Sequence, residues 1–75
     1  MDVTMPKWGM SMQEGLLSAW HVAVGDSVTE GQAIATVETE KVDADIESPG
    51  SGVVSELLVE EGTEVEVGAV IARLS

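Results

Sequence analysis

The sequence predicts an all-β domain made of two halves that face each other across one shared core. Three observations carry that prediction. Glycine recurs along the chain and Val, Ile and Thr are frequent, a composition poor for helices and good for strands. Short apolar runs alternate with Gly, Asp, Ser and Pro punctuation, the pattern of short strands and tight turns. The third observation is repetition. Positions 15–38 lie on positions 52–75 without a gap, and eight of the 24 pairs are identical: Gly15/Gly52, Ser18/Ser55, Val22/Val59, Gly25/Gly62, Val28/Val65, Gly31/Gly68, Ile34/Ile71 and Ala35/Ala72. Leu17/Val54, Trp20/Leu57 and Val37/Leu74 match in kind. Two copies are too few for a solenoid, so each half-barrel must bury its one apolar face against the other.

Taken in order, Val3 to Pro6 reads as a first strand, and the segment from Lys7 to Glu14, which has no clean period, as a surface loop. Leu16 to Val22 is a strand and Gly25-Asp26 a turn. Val28 opens a short extended piece that turns at Glu30-Gly31, and Ala33 to Glu38 is a strand with apolar alternation. A hairpin over about 38–43 leads into a strand from Val42 to Glu47, with Asp43, Asp45 and Glu47 on one face and Val42, Ala44 and Ile46 on the other. Ser48-Pro49-Gly50-Ser51-Gly52 is a break, after which the second copy begins. Leu17 to Trp20 and Val54 to Leu57 both break strict alternation, which predicts a bulge at the same place in each copy.

Seventy-five residues make one small domain with a thin core, since a chain of this size buries only about 60% of its surface. It has no cysteine, hence no disulfide and no thiolate metal site, which is compatible with a reducing compartment. Fourteen acids against three Lys and Arg give a formal net charge of −11. Such a surface repels nucleic-acid phosphates and favours basic partners. The sequence has no apolar run of membrane-spanning length and no basic-then-apolar leader pattern, so a soluble chain without a membrane partner is expected.

Lys41 is one of only three cationic side chains, with Lys7 and Arg73, and it stands between the two copies. A turn joining paired strands points into water, so Lys41 is expected at an exposed tip on a rigid base. A nucleophilic lysine needs burial or a neighbouring cation to lower its pKa. Glu38, Glu40, Asp43 and Asp45 do the reverse, so chemistry at Lys41 must come from a group attached to it.

The motif Glu38-Thr39-Glu40-Lys41-Val42 resembles the lipoylation motif of the lipoyl domains of 2-oxo acid dehydrogenase-type complexes. Met5-Pro6-Lys7-Trp8-Gly9-Met10-Ser11-Met12, followed by Glu14-Gly15, resembles that family's opening, most of all in acyltransferases of the acetoin or pyruvate dehydrogenase type. Gly25-Asp26 with Val28, and Ser48-Pro49 with Gly52, resemble its turns, so the likeness spans nearly all of positions 1–75, a single lipoyl domain. The resemblance implies a flattened barrel, or sandwich, of two four-stranded antiparallel sheets related by a pseudo-twofold axis. It implies lipoate in amide linkage to Lys41, swinging between active sites with an acyl group and then reducing equivalents. It implies a non-catalytic carrier within an acyltransferase component. The implied partners are a lipoate-attaching enzyme, a thiamine diphosphate-dependent dehydrogenase, the acyltransferase core and dihydrolipoamide dehydrogenase. The implied compartment is the bacterial cytoplasm, or the mitochondrial matrix in a eukaryote. Partner recognition is carried over to Trp8, Gly9 and Glu14 in the opening and to Glu38, Glu40, Val42 and Asp43 around the lysine. The family commonly has Asp before the lysine and Ala after it. Glu40 keeps the charge and Val42 adds bulk, changes expected to spare lipoylation and to bear on recognition by a particular dehydrogenase.

The alternative carrier is a biotinyl domain of a biotin-dependent carboxylase, which shares fold and hairpin. Biotin carriers resemble one another in having methionine on both sides of the lysine, where this chain has Glu40 and Val42. Trp8 either meets partners or caps the core edge, whereas Trp20, paired with Leu57, reads as core. His21, the one histidine, reads as a strand-surface residue. With no cysteine beside it, it makes neither a catalytic triad nor a zinc set, and an enzyme in its own right is the least supported reading.

Overall fold

A computed structural model describes residues 1–7, 13–40 and 42–75. Among these residues the chain forms strands and no helix: β1 (Asp2–Thr4), β2 (Glu14–Trp20), β3 (Ser27–Val28), β4 (Ala33–Glu38), β5 (Asp43–Glu47), β6 (Gly52–Leu57), β7 (Thr63–Glu66) and β8 (Val70–Leu74). They build two 4-stranded sheets, in the orders β1-β8-β6-β3 and β5-β4-β2-β7, and every pairing is antiparallel. The body measures 32 × 20 × 17 Å.

The two sheet orders are one order written twice. Exchanging β1 with β5, β8 with β4, β6 with β2 and β3 with β7 turns either sheet into the other. This pseudo-twofold holds down to single hydrogen bonds. His21 N donates to Ile34 O at 2.9 Å, and in the second copy Leu58 N donates to Ile71 O at 2.8 Å. Gly25 N donates to Val54 O at 2.8 Å and Gly62 N to Leu17 O at 2.7 Å, so each copy is bonded to the other at the same point. Among the described residues four glycines have a positive φ, and they are two repeat pairs, Gly25 with Gly62 and Gly31 with Gly68. Gly31 and Gly68 are the third residues of the turns closed by Gln32 N to Thr29 O and Ala69 N to Glu66 O, where a positive φ favours glycine.

The predicted bulges are present in both copies. Leu17 pairs with Val37 and Ala19 with Thr36, which leaves Ser18 out of the ladder. Val54 pairs with Leu74 and Glu56 with Arg73, which leaves out Ser55. Each extra serine turns its hydroxyl on the neighbouring strand: Ser18 Oγ donates to Thr36 O at 3.1 Å and Ser55 Oγ to Arg73 O at 3.0 Å. The bulge thus explains one of the identities, because a short side-chain donor is needed at the same point twice.

The core is the set of matched apolar positions: Leu17/Val54, Val28/Val65, Ile34/Ile71, Ala35/Ala72 and Val37/Leu74 are all buried. Burial of one such Val, Leu or Ile side chain stabilises the fold by about 1.5–3 kcal/mol. Val3 and Ile46, from the two edge strands β1 and β5, close the core, together with Met5. Here the structure adds a second repeat. Positions 1–6 lie on positions 44–49, with Asp2/Asp45 and Pro6/Pro49 identical. Met5 N donates to Ala69 O at 2.9 Å where Ser48 N donates to Gln32 O at 2.8 Å. Ser48 is therefore buried in the place of Met5, and its hydroxyl is satisfied by Gly50 O at 2.5 Å.

Three expectations shift at their edges. The first strand is Asp2–Thr4 rather than reaching Pro6, which lacks an N–H to offer. The second is Glu14–Trp20 rather than Leu16 to Val22: β7 extends its pairing back to Glu14. Val42 falls outside β5, in the hairpin turn, and is 51% exposed. Trp20 is half-buried at the core margin, where its indole N–H donates to Val59 O at 2.8 Å. An indole seeks an acceptor when it packs inward, which keeps it from the centre.

Candidate functional site

The connection between β4 and β5 is short because their pairing runs to Glu38 and Asp43. Beyond that pair, Thr39 N donates to Val42 O at 2.8 Å. Val42 N donates to Thr39 Oγ1 at 3.1 Å, and the same hydroxyl donates to Val42 O at 2.9 Å. Two positions remain between these residues, Glu40, which is exposed, and Lys41, which lies outside the described residues. Sequence reasoning placed Val42 in the strand and gave Thr39 no role. The signal it passed over is a hydroxyl residue at the mouth of a two-residue loop, where short side chains bond nearby backbone.

The charged residues assigned to recognition stand on the outer face of one sheet. Asp43, Glu38, Leu16 and Glu64 are successive partners across β5, β4, β2 and β7. One step along, Glu14 pairs with Glu66. All of these acids are exposed, and Leu16 is half-buried among them. Like charges directly opposite on a sheet destabilise it, so the face is acidic at some cost in stability. Trp8 and Gly9 lie outside the described residues. The two ends of their segment are fixed to a single turn: Gly68 N donates to Met5 O at 2.9 Å and Val67 N to Gln13 O at 2.9 Å. Glu14 follows at the start of β2, whose Leu16 is level with Glu38 at the hairpin base. The opening segment therefore enters the sheet beside the hairpin.

His21 is exposed and follows β2 directly. Its Nε2 is 2.7 Å from Thr36 Oγ1, which itself donates to Asp45 Oδ1 at 2.9 Å. Since that hydroxyl proton is committed to Asp45, His21 is the donor to Thr36. The group forms a cross-strand bond on the sheet surface and leaves no nucleophile activated.

A family model described as "Biotin-requiring enzyme" (biotin/lipoyl) matches residues 1–74. The chain is 47% identical over 73 residues to the dihydrolipoyllysine-residue acetyltransferase component of the pyruvate dehydrogenase complex of Corynebacterium glutamicum, a match covering 97% of this chain and 11% of that protein. The chain spans 11% of that relative's length and 18% of the length of the similar acetoin cleaving system acetyltransferase component of Bacillus subtilis, to which it is 44% identical over 72 residues, 96% of this chain. Among solved structures it is similar to the lipoyl domain of the 2-oxoglutarate dehydrogenase complex from Azotobacter vinelandii, with a TM-score of 0.79, 28% identity, and coverage of 100% of this chain and 95% of that one. It is also similar in fold to urea carboxylase of Kluyveromyces lactis, with a TM-score of 0.83, 24% identity, and coverage of 100% of this chain and 6% of that one.

Proposed function

We propose, since this chain belongs to the biotin/lipoyl family, that it is a lipoyl carrier domain with lipoate in amide linkage to the side-chain nitrogen of Lys41. The observation that supports this most is the combination of a lysine in a two-residue loop, closed by Thr39 and Val42, with likeness over 97% of the chain to an acetyltransferase component. Fold alone would not choose between cofactors, because the urea carboxylase likeness is as close in shape; at 24% identity it speaks for shape only. The flanking Glu40 and Val42, and the identity to acyltransferase components, favour lipoate over biotin.

The residues present fit such a group. Glu38, Glu40, Val42 and Asp43 are all exposed, so the hairpin offers no wall against an attached chain. The bonds between Thr39 and Val42 close the loop. When bound, lipoate supplies a dithiolane that carries an acyl group and then reducing equivalents. The protein's part is to hold the anchorage out on paired strands and to present a face that partners read. Glu14, Glu38, Glu40 and Asp43 offer negative charge to basic surfaces and Val42 an apolar contact. The carrier serves an acyltransferase component of a pyruvate or acetoin dehydrogenase-type complex. Its partners are the lipoate-attaching enzyme, the thiamine diphosphate-dependent dehydrogenase, the acyltransferase core and dihydrolipoamide dehydrogenase, in the bacterial cytoplasm or the mitochondrial matrix.

The test is an intact mass spectrum with peptide mapping after co-expression with a lipoate-attaching enzyme, and separately with a biotin-attaching one. One lipoyl group at Lys41 is expected, with none on Lys41→Arg, whose remaining lysine is Lys7. A biotinyl gain on the wild type, or lipoylation of Lys41→Arg, would overturn the assignment.

A further inference from the structure

We propose that Thr39 is the positioning residue of the attachment hairpin, its hydroxyl holding the loop in the shape that the lipoate-attaching enzyme accepts. The inference rests on the lipoyl reading and adds to it a positioning residue two positions before the lysine. Strand pairing ends at Glu38 and Asp43, so the loop is held by what lies beyond that pair. The backbone contributes Thr39 N to Val42 O at 2.8 Å. The Thr39 hydroxyl adds two bonds, accepting from Val42 N at 3.1 Å and donating to Val42 O at 2.9 Å. A side chain thus engages both backbone polar groups of the residue that closes the loop.

Among the described residues of the loop, core packing offers no substitute. Glu40 is exposed, and Val42 at 51% exposure buries too little to fix the loop. Threonine suits the task because branching at Cβ restricts the hydroxyl to few rotamers. Loss of the hydroxyl leaves the Val42 N–H to water, and the loop then samples shapes the enzyme does not accept. Apparent affinity falls in proportion to the fraction still in the accepted shape. The signature is therefore a rise in KM for lipoylation with kcat unchanged. Losing one net hydrogen bond changes the ratio of accepted to other loop shapes about fivefold, which sets the ceiling on the rise in KM.

The experiment compares the wild-type chain with Thr39→Val, which keeps the shape and loses the hydroxyl, and Thr39→Ser, which keeps the hydroxyl. Steady-state lipoylation and hydrogen exchange at the Val42 amide are measured on each. The expected result is a KM raised by up to about fivefold and lost Val42 protection in Thr39→Val, both restored in Thr39→Ser. A Thr39→Val with wild-type KM, or with wild-type Val42 protection, or a Thr39→Ser as impaired as Thr39→Val, would overturn the proposal. Absence of lipoylation in the wild type would instead sink the lipoyl reading. The Val42 amide would still judge Thr39, being unprotected in Thr39→Val if the hydroxyl holds the loop and unchanged if it does not.

Discussion

The paired bulges allow the duplication to be tested energetically, by replacing Ser18 and Ser55 with alanine singly and together. Each change removes one hydroxyl bond to the neighbouring strand, Ser18 to Thr36 O at 3.1 Å or Ser55 to Arg73 O at 3.0 Å. The geometry is nearly the same, but the surroundings differ. Ser18 is half-buried, whereas Ser55 is exposed and water can take over its bond. One net hydrogen bond contributes about 1 kcal/mol, so Ser18→Ala is expected to cost about that and Ser55→Ala about half. For a domain of this size, about 1 kcal/mol moves the melting temperature by roughly 4–8 °C. The two serines share no bonding partner, so the double variant should fall by the sum to within about 0.5 kcal/mol. Thermal unfolding followed by far-UV circular dichroism, with urea titration for the free energies, measures all three. Wild-type stability in Ser18→Ala would mean that backbone geometry alone sustains the bulge and that the matched serines have another cause. A larger loss at exposed Ser55 than at Ser18 would refute the burial argument.

Two further outcomes follow from the same symmetry. Gly25→Ala and Gly62→Ala should each lose about 1–3 kcal/mol by urea titration, because φ is 95° and 85° there while no atom lies within 4 Å of an added Cβ. Equal stability in either would show that the positive φ is dispensable. Replacing the segment between Pro6 and Gly15 by Gly-Ser, the two residues that join Pro49 to Gly52, should leave a folded carrier that still accepts lipoate but is a poor substrate for its dehydrogenase, read by partner-dependent acylation. Failure of that shortened chain to fold would mean the opening segment belongs to the scaffold.

How far the fold was legible follows from which signals lie in one frame. The gapless frame of 15–38 on 52–75 held Leu17/Val54, Ile34/Ile71 and Ala35/Ala72, and these are the core. The break in alternation at Ser18 and Ser55 announced the bulges because a bulge must disturb a period of two. The repeat of β1 in β5 escaped notice, since it runs in a different frame, positions 1–6 on 44–49, and is too short to stand out. Asp2/Asp45 and Pro6/Pro49 gain meaning only once Met5 and Ser48 are seen making matching bonds to Ala69 and Gln32. Strand ends were misjudged where a partner decides them: Glu14 is strand because Glu66 lies opposite, and Val42 is turn because Thr39 captures its amide. At the hairpin, the acids and the lysine could be read from composition, while Thr39 could not, because its role is a local bond rather than a charge.

The change of frame itself locates function. Between the duplicated blocks, Pro6 is joined to Gly15 by eight residues, whereas Pro49 is joined to Gly52 by two. The second connection shows that two residues suffice to turn the same corner, so the longer one exceeds what the fold requires. The other stretch without a counterpart is the link from Glu38 to Ala44, which carries Lys41. These two unduplicated segments reach the sheet side by side, since Leu16, Glu38 and Asp43 are successive partners in one row. A duplication supplies two of everything the barrel needs for its own stability. The stretches that exist once are not needed twice by the barrel, and their described ends, Glu14, Glu38 and Asp43, meet on the same sheet.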